Sequence, residues 1–391
     1  MRLLASLLTL LLVAPCAVGQ AVTVETVVPP GSEIDDALAL GPDGALYGSR
    51  FGTLQPYVPG QTVTRVDLSD GSTSVYARGF SSANGLAFRP NGTLYVANYY
   101  DAGIDAGHVS RVSASGSVQH RLAEAGARVT ISGAAFDAVN NRLYVTSYDN
   151  NWIKRMTASG SLVDVVVGDR RLDGPAGLAF DSQNRLHVAN YNNGKIYRVD
   201  GSDLVLLADL QRKVGFLAYG GGRFFATAID AHRVYAITEA GEVSILAGTG
   251  APGTDDGPGT AATFNRPNGI VATASGDTLY VSDAGSRAVR RIVIGGATSA
   301  EAAPSEAEAL LPVAPNPVAA ATTVRFHLDA PADVDVALYD TLGRRVRDLA
   351  SGPHAAGPHR LGVDTATLAP GAYRIVLRRD GAVESQPFVR R

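Results

Sequence analysis

The chain has 391 residues, with 34 basic and 37 acidic side chains and a formal net charge of −3. This near balance gives no basic stripe of the kind that binds nucleic acid, which argues against such a partner. A single cysteine excludes an intramolecular disulfide, and the length leaves room for more than one domain.

Residues 1–19 have the pattern of a secretory signal peptide. After a short basic start, an apolar run covers residues 3–13, and Ala17 and Gly19 are small residues at the −3 and −1 positions. The run is too short to span a bilayer, and no other segment is long and apolar enough. A buried first helix is one alternative, and a lipoprotein, suggested by Cys16 but disfavoured by Pro15, is another. We expect cleavage after Gly19 and a secreted protein or one on the outer cell surface.

Between residues 22 and 295 one sequence pattern, which we call the repeated phrase, occurs six times: a short apolar strand, a turn and a second apolar strand. In the clearest copies, GLAF is followed by PNG and LYVAN at 85–98, and by SQN and LHVAN at 177–190. The positions equivalent to Leu86 are 38, 86, 134, 178, 217 and 270, so the copies are spaced 39 to 53 residues apart. This spacing suits the four strands of a β-propeller blade.

The last repeat lacks a fourth strand before the chain changes composition. A strand is available at the other end of the repeats, Val22–Val28, and pairing it beside Ala288–Ile294 would close the ring and remove both sheet edges. The predicted fold class is therefore all-β, a six-bladed propeller with N-terminal strand closure. Arginine recurs in the third strands at 65, 111, 155, 198 and 291, which suggests pairing between blades.

The repeats resemble known propeller families. Residues 246–250, 255–265, 267–270 and 279–283 resemble the NHL repeat, and further upstream the combination of NGLA with VANY is similar to the gluconolactonase and senescence-marker family. Both resemblances imply the same six-bladed architecture. Neither identifies a ligand.

One set of positions just before the inner strands is expected near the propeller axis. In chain order these positions hold Asp36, Asn84, Ser132, Ala176, Val214 and Asn268. In the gluconolactonase-like family this position can supply metal ligands, so the resemblance implies that Asp36, Asn84 and Asn268 could hold Ca²⁺. That set would support a lactonase-like metal-dependent hydrolase using the central channel. The alternative is that the asparagines cap turns before glycine.

Aromatic and amide-rich loops follow the second strands of blades one to four and should converge on the same face. Their candidate ligand-face residues are Arg50, Phe51, Tyr57, Tyr99, Tyr100, Tyr148, Trp152, Tyr191 and Asn193. Rings flanked by amides suit a carbohydrate or peptide ligand, through stacking and hydrogen bonds. The alternative is that the rings fill gaps between blades. A binding or interaction protein is the preferred prediction because no complete catalytic set is visible.

The chain changes character after the repeats. Residues 296–311 are rich in Ala, Glu, Ser and Pro and are predicted to form a linker. Residues 312–391 contain alternating strands at 322–328, 335–339, 359–363 and 373–377, separated by turn signals. This pattern predicts a small Ig-like β-sandwich.

This last region closely resembles the type A C-terminal sorting domain of the type IX secretion system. The resemblance rests on Pro315, Asn316, Pro317, Tyr339, Asp340, Gly343, Arg344, Gly371 and Tyr373. It implies a Bacteroidota-type envelope, Sec export, and the type IX machinery as a partner for passage across the outer membrane. In that family the domain is usually removed and the cargo is released or anchored at the surface.

Overall fold

The computed structural model describes residues 21–54, 57–157, 160–295, 310, 318, 321–328, 330–340, 344–369, 371–379 and 382–390. The signal-peptide segment 1–19, almost all of the linker, and the sorting-motif residues 315–317 and Gly343 lie outside these described residues. The chain divides between Thr298 and Ser299 into two compact units. No helix in the described ranges is long and apolar enough to cross a membrane.

The first unit is the predicted propeller. Within the described part of residues 21–295, six antiparallel sheets of at least four strands form the blades, each running from an inner strand outward. Blade one contains Leu38–Leu40, Leu46–Ser49, Thr62–Val66 and Thr73–Arg78, with a hairpin of Gly52–Leu54 and Tyr57–Pro59 between its second and third strands. Blade two contains Ala83–Phe88, Leu94–Asp101, Ala106–Val112 and Val118–Glu124.

The remaining blades follow the same plan. Blade three contains Ala134–Asp137, Arg142–Ser147, Trp152–Met156 and Leu162–Val167. Blade four contains Pro175–Phe180, Leu186–Asn190, Lys195–Asp200 and Asp203–Asp209. Blade five contains Val214–Gly220, Arg223–Ala228, Arg233–Thr238 and Val243–Ala247. Blade six contains Pro267–Ala272, Thr278–Asp283, Ala288–Ile294 and, from the N-terminus, Val22–Val28.

The N-terminal strand closes the ring as predicted. Val22–Val28 pairs antiparallel with Ala288–Ile294, with Val24 opposite Ile292. The short strand Gly257–Pro258, which leads into the 3-10 turn Gly259–Ala261, pairs with its other side. Val24 is 2% exposed and packs in an apolar cluster with residues of blades five and six. The outermost strand of blade six is therefore fixed by hydrophobic burial as well as by the ladder.

Glycine lies close to the start of most inner strands, where neighbouring blades approach each other closely. A Cβ atom on Gly269 would lie 2.1 Å from the carbonyl oxygen of Asp36 in blade one. One on Gly133 would lie 1.8 Å from the carbonyl oxygen of Ala176 in blade four. Backbone atoms cannot move aside as a flexible side chain can, so these positions exclude any larger residue.

Two of the recurring arginines have their partners in their own blades. Arg65 bonds to Asp43, in the turn between the first two strands of blade one, at 3.2 Å. Arg291 pairs with Glu25 of the closing strand. The prediction that these arginines pair between blades is therefore wrong for both, because the turns and the closing strand of the same blade place a carboxylate within closer reach.

The second unit is a small β-sandwich, as predicted. Ala321–Leu328 pairs with Gly357–Asp364 in one sheet, and the other sheet has the order Arg345–His354, Ala332–Asp340, Gly371–Arg379, Ala382–Arg390. Phe326 of the first sheet packs with Val336, Ile375 and Phe388 of the second in a single buried cluster. Two of these strands, Arg345–His354 and Ala382–Arg390, were not anticipated from the sequence.

Candidate functional site

A cavity of about 530 Å³ lies where the inner strands begin, at one end of the propeller. Its walls come mainly from two sets of residues: those at or just before the start of the inner strands, and those at the ends of the second strands or in the loops that follow them. Its lining includes Asp35, Asp36, Phe51, Gly52, Thr53, Asn84, Tyr99, Ser132, Tyr148, Ala176, Tyr191, Phe216, Ile229, Arg266, Asn268, Ala284 and Gly285.

The structure brings together most of the positions expected near the axis. Asp36, Asn84, Ser132, Ala176 and Asn268 all line this cavity. The exception is Val214, which is fully buried. In blade five the cavity wall is instead formed by Phe216 and Ile229.

Hydroxyl groups of the second strands hold the three candidate metal ligands in place. In three blades the second strand has a Ser or Thr three residues after its first large apolar residue. The hydroxyl of this Ser or Thr donates a hydrogen bond to a backbone carbonyl oxygen at the start of the next blade. These bonds join Ser49 to Asn84 at 2.8 Å, Thr227 to Asn268 at 2.5 Å and Ser282 to Asp36 at 2.5 Å. The last bond also crosses the closure of the ring. Each candidate side chain therefore starts from a backbone position that its neighbouring blade fixes.

The Asp36 carboxyl is enclosed at the base of this cavity. Its side chain is buried at 2% exposure, and its Oδ1 accepts a hydrogen bond of 2.6 Å from the amide nitrogen of Asn268. Burial raises the pKa of Asp36 well above its usual value, the nearby Asp35 raises it further, and the Asn268 bond opposes this in part. The environment thus favours the neutral carboxyl group.

Asp35 is a second cavity carboxyl that the sequence analysis missed. Its Oδ1 accepts a bond of 2.6 Å from the Phe51 backbone N–H, and its Oδ2 accepts one of 3.4 Å from Gly52. Burial raises the pKa of Asp35, while these two bonds and the charge of Arg287 lower it. Asp35 therefore anchors the loop that carries Phe51.

Two of the three candidate ligands are hydrogen-bonded to each other. Oδ1 of Asp36 accepts the Asn268 amide, and burial disfavours the charged carboxylate. In the described ranges no three His, Cys, Asp or Glu side chains group to hold a metal ion. A Ca²⁺ ion requires six to eight oxygen ligands, so Asn268 would have to turn its amide oxygen inward and Asp36 would have to ionise.

Aromatic rings from four successive blades form one side of the cavity, which we name the aromatic wall: Phe51, Tyr99, Tyr148 and Tyr191. The rings of Phe51 and Tyr99 meet edge to face at 5.3 Å, and those of Tyr148 and Tyr191 at 5.6 Å. The Tyr99 hydroxyl donates to Asp149 at 3.1 Å and the Tyr148 hydroxyl to Asn192 at 2.8 Å. The rings therefore contact neighbouring blades, as one sequence-based alternative predicted, and they also line the cavity.

The other predicted ligand-face residues do not line this cavity. Arg50 pairs with Glu33 beside a separate cleft, and the Tyr100 hydroxyl donates to Asp105 at 2.6 Å. Trp152 is 8% exposed and packs in the core between blades, and Asn193 accepts a backbone bond from Lys195 at 3.1 Å. The side chain of Tyr57 lies outside the described part of the chain.

Arg266 is a cavity residue that no sequence pattern indicated. It immediately precedes the inner strand of blade six, is exposed, and has a φ of 59°. Its backbone N–H donates to Nδ1 of His232 at 3.1 Å. Because it lies outside the repeated phrase, periodicity could not identify it; only the folded loop places it at the cavity.

Comparison with known proteins supports the fold. No protein-family model matches this sequence, and none of the curated proteins matches it. Among solved structures, an auxiliary nutrient binding protein from Bacteroides thetaiotaomicron is 16% identical, with a TM-score of 0.55, covering 70% of this chain and 76% of that chain. A second auxiliary nutrient binding protein, from Bacteroides ovatus, is 18% identical with a TM-score of 0.56, covering 70% and 77%.

A gluconolactonase from Xanthomonas campestris also has a similar structure, at 15% identity and a TM-score of 0.52, covering 69% of this chain and 89% of that chain. At such identities the similarity establishes a shared six-bladed propeller fold and nothing finer. Proteins described as binding proteins and as enzymes both have this fold, so function must be argued from the site.

Proposed function

We propose that this protein is a binding protein of the cell exterior whose propeller holds a small saccharide in the axial cavity. The observation that carries this proposal is the aromatic wall, which lines the same cavity as the polar side chains of Asn84 and Ser132. Sugar rings have apolar C–H faces that stack on aromatic rings and hydroxyl groups that need hydrogen-bond partners. The cavity volume of about 530 Å³ falls within the range of small-molecule sites.

Several polar groups in the cavity are available to such a ligand. Among the described residues, the side-chain amide of Asn84 and the hydroxyl of Tyr191 have no hydrogen-bond partner, and both line the cavity. By contrast, the Tyr99 and Tyr148 hydroxyls are already bonded to neighbouring loops. Bonded hydroxyls keep these two rings in fixed orientations, which lowers the entropy cost of binding a ligand against them.

The saccharide proposal is tested by calorimetric titration of the full mature chain with neutral and acidic oligosaccharides. Tyr148→Leu keeps much of the side-chain volume but removes the stacking face, so we expect about tenfold weaker binding. Tyr100→Leu is the matched control, because Tyr100 lies near the end of the second strand of blade two and does not line the cavity. No saccharide binding, or equal loss in both variants, would contradict the proposal.

A lactonase-like metal-dependent hydrolase is the second candidate function. The observation in its favour is that Asp36, Asn84 and Asn268 line the same cavity. Titration with Ca²⁺ alone, in wild type and Asp36→Asn, separates the candidates. Binding of Ca²⁺ that Asp36→Asn abolishes would favour the hydrolase, and the absence of any Ca²⁺ binding would leave the saccharide-binding proposal without this rival.

We also propose that the second unit directs export through the type IX secretion system, after removal of the N-terminal signal peptide. The support for this proposal is the resemblance of residues 312–391 to the type A sorting domain, and some of the motif residues that the structure describes make contacts within the second unit. Arg344 bonds to the Asp340 carboxylate through its backbone N–H at 2.9 Å and through Nε at 2.7 Å. The ring of Tyr373 stacks on Phe388 at 5.7 Å.

The export proposal is tested in a host that has type IX secretion. Deleting residues 312–391 should leave the propeller in the periplasm, whereas the full chain should reach the surface or the medium. Cell fractionation and surface protease digestion measure the outcome. Unchanged surface display of the truncated chain would contradict the proposed role of the second unit.

A further inference from the structure

Arg266 has three properties that together suggest a ligand contact. It lines the axial cavity and is exposed. In the part of the chain that the structure describes, no hydrogen bond or ion pair engages its guanidinium group, although its backbone N–H is bonded to His232. A guanidinium presents five N–H donors in a planar fork that matches a carboxylate in a bidentate arrangement.

The backbone of Arg266 is held in an unfavourable conformation. Its φ of 59° lies in the left-handed region, and the next residue is Pro267, which restricts its predecessor to extended conformations. Two hydrogen bonds hold the residue there: its N–H donates to His232, and its carbonyl accepts from Ala284 at 3.2 Å. Strain of this kind persists where surrounding structure enforces it, and it is concentrated at ligand sites.

The cavity carboxyl groups already accept hydrogen bonds from the protein, whereas the guanidinium of Arg266, in the same described lining, has no such partner. Asp35 accepts two backbone N–H bonds from the Phe51 loop, and Asp36 accepts the amide of Asn268. The charge that acts on Asp35 is that of Arg287, whereas the charge of Arg266 acts on the Tyr191 hydroxyl. Arg266 and the four rings of the aromatic wall line the same cavity.

We propose, resting on the saccharide-binding function above, that the ligand is an acidic saccharide: a uronic acid whose carboxylate is bound by Arg266 while its ring lies against the aromatic wall. Asn84 and Tyr191 then donate hydrogen bonds to the sugar hydroxyls. A neutral sugar would leave the guanidinium without a charged partner inside a partly desolvated site.

The geometry at the axis favours a sugar over a peptide carboxylate. An extended peptide binds by adding a strand to an exposed sheet edge. At the axis, the inner strands crowd so closely that even a Cβ on Gly269 would meet the Asp36 carbonyl at 2.1 Å. The cavity of about 530 Å³ is instead of a size that suits a compact ring.

The test uses matched ligand pairs with the full mature chain. Di- and trisaccharides of galacturonate, glucuronate and mannuronate are titrated beside their methyl esters, which keep the skeleton and lose the charge. We expect at least one free acid to bind about tenfold or more tightly than its ester, with affinity falling as salt rises. Arg266→Gln should remove this preference, because it weakens binding of the free acid much more than binding of the ester.

Arg128→Gln is the control, because Arg128 also has a positive φ of 61° but lies outside the cavity lining. Equal affinity for acid and ester, or an unchanged preference in Arg266→Gln, would overturn the acidic-sugar inference. If neutral saccharides still bound in that case, the proposed saccharide-binding function would stand. If neither acidic nor neutral saccharides bind, both proposals fail. Binding of short peptides through a free C-terminal carboxylate, lost in Arg266→Gln, would show that the ligand class is wrong. A thermal melt of each variant shows whether the fold is kept.

Discussion

At the level of single residues, Asp36 combines two roles that are normally separate. Its carbonyl oxygen accepts the Ser282 hydroxyl across the closure of the ring, and its side chain forms the base of the cavity beside Asn268. A carboxyl in this position is costly to ionise because burial removes the water that would solvate the charge. The ionisation state of the Asp36 carboxyl group should therefore affect the stability of the propeller.

Asp36→Asn should stabilise the propeller increasingly as the pH rises. Folding raises the pKa of Asp36 above its ordinary value of 3.8. Between these two pKa values the carboxyl group is ionised in the unfolded chain but protonated in the folded one, so the wild type loses stability as the pH rises through this window. Asparagine has no such loss. The stability difference should grow by up to about 1.4 kcal/mol per pH unit within that window and vanish below it. Urea unfolding at pH 4, 6 and 8 measures this, and a difference independent of pH would contradict it.

Ser282 should matter through its hydroxyl group. It accepts the N–H of Gly269 at 2.7 Å and donates to the Asp36 carbonyl at 2.5 Å. Ser282→Ala leaves both buried groups unpaired, so we expect a loss of about 1–3 kcal/mol in the free energy of unfolding. Ser282→Thr is the control, since Thr227 makes the equivalent contacts in blade five; it should be close to neutral. Equal losses in the two variants would indicate a steric cause instead.

At the level of elements, the closing strand depends on which side of the sheet each residue faces. Val24 is buried in the cluster with Phe264 and Ile292, whereas its neighbour Thr23 is exposed. Successive residues of a strand point to opposite faces, so the same substitution at these two positions gives a matched pair.

Val24→Asp should release the closing strand, and Thr23→Asp should not. Burying an unpaired carboxylate costs several kcal/mol of free energy. This cost exceeds the stabilisation that the pairing of this one strand contributes. Hydrogen exchange should show lost protection in Val22–Val28 and in its partner Ala288–Ile294. Similar protection in both variants would mean that the strand is not needed for closure.

The repeated elements were predictable from the sequence, and the unrepeated ones were not. Six copies of one phrase determined the blade count, and the missing last strand indicated where Val22–Val28 belongs, because a sheet edge must be paired. The hydroxyls of Ser49, Thr227 and Ser282 recur in register, yet their partners depend on how closely the blades approach. Arg266 and Asp35 lie outside the phrase, and their positions follow from loop conformations that periodicity does not encode.

At the level of the whole molecule, each of the two units has its own hydrophobic core. The second unit is built around one cluster that includes Phe326 and Phe388, and the propeller has clusters between its blades. Units with separate cores are expected to unfold in separate transitions.

Calorimetry should therefore show two transitions that respond to different substitutions. Phe326→Ala removes a ring that is 1% exposed and should destabilise the second unit by about 3–5 kcal/mol. Val24→Asp should lower only the propeller transition. A shift of both transitions by either single variant would show that the units unfold together.

The pairing of Val22–Val28 with Ala288–Ile294 also determines when this protein can finish folding. Blade six contains the first and the last strands of the propeller, so it cannot assemble during synthesis until residue 294 has left the ribosome. The early strand must wait, unpaired, while the other five blades form, and contacts so distant in sequence form slowly. Ring closure thus makes the propeller slow to fold and keeps its chain open to chaperones or a translocase until synthesis of this unit is complete.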